Sequence, residues 1–133
     1  MNRNKAKGSN AERELIAMFW DKDWAAVRAA GSGSTRFPSP DVIASNTNRR
    51  IAVECKFVKG EKKYFDTEEI KQIQTFSKIF GAEPWIAIKF SRKDWHFIKA
   101  DDLEMTKGMF AASIELCKQK GVDFERLINK DHP

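Results

Sequence analysis

Two short β-prone runs, Asp41 to Ser45 and Ile51 to Val58, are separated by a segment whose first four residues, Asn46-Thr-Asn-Arg49, have turn composition. Turn-forming residues between two such runs read as a β-hairpin. With Thr47-Asn48 as the central turn residues, Asp41 falls opposite Glu54, Val42 opposite Val53, Ile43 opposite Ala52 and Ala44 opposite Ile51. Side chains alternate between the faces of a strand, so this register fixes which residues share a side. One face is apolar, with Val42, Ala44, Ile51, Val53, Cys55 and Phe57. The other carries Asp41 and Glu54 at the end away from the turn, and Lys56 two residues on.

Directly opposed side chains have β-carbons about 4.5–5.5 Å apart, a separation at which like charges destabilise a sheet. A divalent cation between Asp41 and Glu54 would relieve that repulsion, and hard carboxylate oxygens suit Mg²⁺, with Mn²⁺ able to substitute. A plainer reading uses the same residues. Pro-Asp opens many turns, Glu-x-Lys is common on exposed strands, and Lys56 can simply offset neighbouring acids. Cys55, on the apolar face, reads as a packed thiol.

The remaining pattern surrounds the hairpin with helices and strands. Residues 1–7 read as a flexible basic arm, and Ser9 or Asn10 as the cap of a helix from about Ala11, with Ala11, Leu15, Met18 and Phe19 on its apolar stripe. A strand follows over Trp24 to Arg28, then the turn-rich segment Gly31 to Pro40. Lys59 to Lys63 reads as a charged connection. Glu68 to Phe80 predicts a helix burying Ile70, Ile73, Phe76, Ile79 and Phe80, with Gly81 as its stop. Trp85 to Phe90 and Trp95 to Ile98 are two more strands. In residues 99–133, Met109 to Cys117 fits a short helix or an edge strand, and Asp123 to Ile128 a helix. The 133 residues make one domain: an α/β fold with a central mixed sheet of about five strands flanked by helices.

Charge narrows the class of partner. The net charge is +5, and residues 1–66 hold all of the excess, with 13 Lys and Arg against 8 Asp and Glu. Residues 67–133 balance at 11 of each. A positive field around the hairpin favours a polyanion. Lys5, Lys7, Arg13, Arg28, Arg36, Arg49, Arg50, Lys59, Lys62, Lys63 and Lys89 are the candidate phosphate contacts, and Phe37 a candidate for insertion at a distorted base step. Cys55 and Cys117 form no CxxC pair and no zinc-like cluster with His96 and His132. With neither a signal-peptide pattern nor a membrane-spanning run, a cytoplasmic protein is expected, without membrane or small-molecule partners.

Pro40-Asp41, twelve further residues, then Glu54-Cys55-Lys56 resembles the PD-(D/E)xK nuclease signature. Its surroundings are more specific: Lys7-Gly8-Ser9-x-x-Glu12-Arg13-Glu14-Leu15, Ala25-Ala-Val-Arg28-Ala-Ala-Gly31-Ser32-Gly33-Ser34, and Pro38-x-Pro40-Asp41-Val42-Ile43-Ala44. That order, with Phe76-x-x-x-Phe80-Gly81-Ala82 and Trp95-x-Phe97-Ile98, is similar to the archaeal Holliday junction resolvases of the Hjc type. The resemblance runs from about Lys5 to Ile98, with a weaker match around Gly121 to Leu127. It implies a restriction-endonuclease-like fold and a homodimer that binds four-way DNA junctions and nicks two strands symmetrically, leaving 5′-phosphate and 3′-hydroxyl ends. It further implies catalytic roles for Glu12, Asp41, Glu54, Lys56 and Ser32, with Glu12, Asp41 and Glu54 as metal ligands, in the cytoplasm of an archaeal cell or a virus-infected one. Cys55 stands where the family usually has an aliphatic residue. Other readings are a repair- or restriction-type endonuclease of the same superfamily, and a non-catalytic DNA-binding module. From the residues alone Glu12 reads equally as a favourable charge in the first helical turn.

Overall fold

The hairpin has the register its alternation predicts. In a computed structural model, which describes residues 3–29 and 37–129, with side chains from residue 10 onward, strand β2 (Val42–Ser45) pairs antiparallel with β3 (Arg50–Val58). Val42 lies opposite Val53, Ile43 opposite Ala52, Ala44 opposite Ile51 and Ser45 opposite Arg50. Asn46 builds the turn: its Oδ1 accepts from the Asn48 and Arg49 amides at 2.9 and 2.7 Å, and its own amide donates to the Arg49 carbonyl at 3.0 Å. A short polar side chain offers the backbone this local alternative to a ladder.

Five strands form the main sheet. To β2 and β3 it adds β1 (Ala25–Arg28), β5 (Glu83–Phe90) and β6 (Trp95–Lys99), in the order β1-β2-β3-β5-β6. Only β3 and β5 run parallel, which requires a crossover. Helix α2 (Thr67–Phe80) supplies it. The sheet is thus mixed, as expected.

Each face has its own core. Helix α1 (Arg3–Asp21) covers one, burying Ala11, Leu15 and Phe19 against Val42, Ala44, Ile51, Val53, Trp85 and Phe97. Helix α2 covers the other, where Ile70 and Ile73 meet Ala52, Val58, Ile86, Ile88 and Phe90. Full burial of each large aliphatic or Phe side chain contributes about 1.5–3 kcal/mol. Odd-numbered β3 residues through Cys55 therefore face α1, and the even-numbered set containing Ala52, Glu54, Lys56 and Val58 faces α2.

Four local expectations are corrected. Helix α1 begins at Arg3, not near Ala11, so part of the supposed arm is helical; Lys and Ala favour helix, and Gly8 costs only about 1 kcal/mol there. The charged connection after β3 contains strand β4 (Lys62–Phe65), which buries Phe65 and exposes Tyr64. It joins a second, three-stranded sheet with β7 (Glu104–Thr106) and β8 (Met109–Ser113), in the order β4-β8-β7. Met109 to Cys117 is a strand and then a helix: β8, central in its sheet rather than at an edge, then α3 (Ile114–Lys120), capped by Ser113, whose hydroxyl accepts from the Leu116 amide at 3.0 Å. Finally, α2 buries Ile70, Ile73 and Ser77, leaving Ile79 83% and Phe80 46% exposed. At 100° per residue Ile79 points away from the stripe that Ile70 and Ile73 define. The last helix, α4 (Phe124–Asn129), packs Phe124 and Leu127 into the α1-side core. Gly81 ends α2 in the left-handed conformation, φ 83°.

Candidate active site

Asp41 immediately precedes β2, and three hydrogen bonds fix it there. Its amide donates to the Val53 carbonyl at 3.0 Å, and its carbonyl accepts from the Ala29 amide at 2.9 Å. Its carboxylate Oδ2 accepts from the Cys55 amide at 2.9 Å. Asp41 thus ties the ends of β1, β2 and β3 together at the margin of the sheet. Glu54 and Lys56 project from β3 toward α2, and Lys56 Nζ lies 3.6 Å from Glu54 Oε2. A second carboxylate reaches the same ammonium: Glu69 Oε1, in the first turn of α2, is 2.5 Å from it, and the Glu69 side chain also hydrogen-bonds Glu54.

The electrostatics follow from crowding. Glu54's carboxyl is raised from 4.5 to about 8, by burial and then by the charge of Asp41, with Lys56 acting in the opposite sense. Lys56 is held above its ordinary value: burial opposes its charge, but the hydrogen bond it donates to Glu69 and the charges of Glu54, Glu69 and Asp41 outweigh it. Burial and the charge of Asp41 push the Cys55 thiol well up, so it is no nucleophile. The group holds more carboxylate than it can comfortably ionise. Cation affinity is what such an arrangement offers.

Glu12 approaches from the other face of the sheet, and its charge joins those of Asp41 and Glu54 in raising the Cys55 thiol. It lies on α1, which packs on the opposite face of the sheet, and its Oε1 accepts from Arg28 Nε at 2.7 Å. Among the described residues no three His, Cys, Asp or Glu side chains come close enough to hold one ion together. Of the expected triad, Asp41 and Glu54 meet beside Lys56, and Glu12 pairs with Arg28. Glu69 is what sequence reasoning missed. Its only signal was helical phase: it precedes Ile73 by four residues and Phe76 by seven, which turns it toward the sheet.

The candidate DNA contacts divide into several groups. Lys59 and Lys62 are exposed and Lys63 half-buried, just past the site end of β3. Arg13 is exposed beside Asn10, to which it donates. Lys89 is partly buried, 3.3 Å from Glu14 and over the Trp95 ring. Arg50 is exposed but sits at the turn end of β3, six residues and so about 20 Å from Lys56. Arg49 is a correction: it is buried, forks onto Glu83 with two 2.9 Å bonds, donates to the Leu127 carbonyl at 2.6 Å and lies over the Trp24 ring. It clamps the hairpin turn to α4 and β5 and is not available to a phosphate. Ser32 and Arg36 lie outside the described residues, as do the side chains of Lys5 and Lys7. Phe37 is 67% exposed.

A mixed sheet with helices on both faces, carrying Asp41, Glu54 and Lys56 on adjacent strands, defines a restriction-endonuclease-like nuclease of the PD-(D/E)xK type. The family model for the archaeal Holliday junction resolvase (Hjc) matches residues 3–132. A protein of Archaeoglobus fulgidus named crossover junction endodeoxyribonuclease Hjc is 41% identical over 106 residues, covering 80% of this chain and 78% of the relative. One of the same name from Sulfolobus acidocaldarius is 39% identical over 128 residues, covering 94% and 88%. The solved structure of Archaeoglobus fulgidus Hjc, described as a Holliday junction resolvase, superposes with a TM-score of 0.85 at 34% identity, covering 90% of this chain and 96% of that one. The chain belongs to the archaeal Holliday junction resolvase family.

Proposed function

We propose that the protein resolves four-way DNA junctions as a crossover junction endodeoxyribonuclease in the archaeal cytoplasm, hydrolysing phosphodiester bonds at Asp41, Glu54 and Lys56. The observation that carries this reading is the convergence of those three side chains in a chain of this family. Asp41 and Glu54 would hold Mg²⁺, or Mn²⁺ in its place, and the bound ion would lower the pKa of an attacking water and stabilise charge on the phosphate oxygens. The crowding that raises Glu54 to about 8 is the feature that fits a cation there.

The chain's own groups do the rest. The Cys55 amide holds one Asp41 oxygen at 2.9 Å and so orients the other. Lys56 brings a fixed positive charge to negative charge developing on the phosphate. Lys59, Lys62, Lys63, Arg13 and Lys89 would contact flanking phosphates, joined by Lys5, Lys7 and Arg36. Arg28, ion-paired with Glu12, would add positive charge near the site, and Ser32 would assist from the loop before Asp41.

Paired nicks on strands of like polarity, leaving 5′-phosphate and 3′-hydroxyl ends, need two sites at fixed separation, hence a homodimer. The half-buried ring of Phe76 stacks on that of Phe80 at 5.0 Å, and with Ile79, Thr75 and Pro38 they form an open apolar groove along one flank of α2. A second copy covering this face would bury it. Phe76 and Phe80 follow Glu69 by 7 and 11 residues, on the same flank of the helix. That arrangement would set each active site beside the two-fold contact.

The test is cleavage with Mg²⁺ of a four-way junction, a flap and a linear duplex of the same sequence. We expect the junction to open into two nicked duplexes and the linear duplex to survive. Equal cutting of the linear duplex would favour a repair- or restriction-type enzyme of the same fold. Binding without cutting any substrate would favour a non-catalytic module.

A further inference from the structure

Lys56 carries its charge on a long, flexible stem, and such a group points one way only when something holds it. Glu54 alone, at 3.6 Å, would hold it badly, because it would draw the ammonium onto the carboxylate that the metal needs. Glu69, at 2.5 Å from the ammonium and itself hydrogen-bonded to Glu54, is the closer partner, and its place is set by elements outside the hairpin. Ile70 and Ile73 lock the phase of α2 against Ile86, Ile88 and Phe90, and the first helical turn then sets Glu69 over Lys56. The adjacent Glu68 is exposed and can serve the helix dipole unaided. Glu69 instead keeps 30% side-chain exposure and spends its charge on the lysine.

We propose that Glu69 is a positioning residue: from the first turn of α2 it anchors the Lys56 ammonium more closely than Glu54 does, and so fixes where a scissile phosphate can meet it. The inference rests on the nuclease reading of Asp41, Glu54 and Lys56 and adds a residue from outside the strand motif. The balance of charge at Lys56 agrees with it. Burial works against the ammonium, and the hydrogen bond to Glu69 heads the influences that keep it charged.

The experiment compares wild type, Glu69→Gln, Glu69→Asp, Glu68→Gln and Asp41→Asn in single-turnover cleavage of a four-way junction across a Mg²⁺ titration. Displacing a reacting group by about 1 Å can cost on the order of a hundredfold in rate. Glu69→Gln should therefore cut roughly 10- to 100-fold more slowly at saturating Mg²⁺, with its junction Kd unchanged. Glu69→Asp should recover part of the rate, and Glu68→Gln should behave as wild type. A second readout needs neither metal nor DNA: acylation of the Lys56 amine by an amine-reactive ester, followed by mass spectrometry, should speed up in Glu69→Gln. Wild-type cleavage by Glu69→Gln at saturating Mg²⁺, or unchanged Lys56 acylation, would overturn the assignment. If Asp41→Asn is dead while Glu69→Gln is fully active, only this inference falls. If Asp41→Asn still cuts, the underlying reading of the site falls, and the acylation result still decides whether Glu69 holds Lys56.

Discussion

Replacing Glu54 with Gln should make the metal-free protein more stable at alkaline pH, although it removes a residue of the active site. Glu54's carboxyl is raised from 4.5 to about 8 by burial and by Asp41. Between those values the folded protein holds a proton that the unfolded chain releases, so stability falls as pH rises through that window. Well below pH 4.5 both states are protonated and the group contributes nothing. Above about pH 8 the full penalty applies. At about 1.36 kcal/mol per pH unit it is on the order of 3–5 kcal/mol, the lower end allowing for the coupling to Asp41 and Lys56. The amide of the Glu54→Gln variant keeps the shape of the carboxyl and loses the charge, and Lys56 keeps Glu69 as partner. For a domain of this size the gain is about 10 °C in melting temperature at alkaline pH. The assay is thermal unfolding in EDTA at acidic, neutral and alkaline pH. The difference between variant and wild type should grow with pH, and saturating Mg²⁺ should stabilise wild type and not the variant. A variant that melts below wild type at alkaline pH, or a difference independent of pH, would refute the crowding argument.

Other expectations are more local. Arg49→Ala should destabilise the fold by about 3 kcal/mol in urea unfolding, because it strands the partly buried Glu83; junction affinity per folded molecule should stay the same. Gly81→Ala should cost about 1 kcal/mol, measured the same way, since φ 83° is strained for any residue with a Cβ while the nearest atom, Arg50 Nη2 at 3.5 Å, leaves room for it. Gly121→Ala should be worse, because its Cβ would stand 2.5 Å from the Cys117 carbonyl oxygen. Phe80→Glu should turn a dimer into monomers in sedimentation equilibrium and leave far-ultraviolet circular dichroism unchanged.

The hairpin was readable because its information is local. Strict alternation and a turn with a single good register fix which residues share a face, and the pairing of Val42 with Val53 follows. Long-range partners leave no such trace. Arg49 read as one of many surface cations because Glu83, 34 residues away, becomes its neighbour only when β5 is laid down. Glu69 was hidden for the same reason. Lys62-Lys63-Tyr64-Phe65 looked like a charged link, since a half-exposed strand in a small sheet carries only one deeply buried side chain, Phe65. Ile79 and Phe80 were assigned to the core on hydrophobicity, whereas helical phase sends Ile79 outward. Glu12 matches the family pattern in sequence, yet in this conformation its nearest partner is Arg28.

The most direct check is to give Asp41→Asn a labelled four-way junction and measure binding and Mg²⁺-dependent cleavage on the same preparation. The account predicts binding within about twofold of wild type, because the basic surface is untouched, and no detectable cleavage. Cleavage at the wild-type rate would mean that the strand acids are bystanders, and the assignment of this site would be wrong.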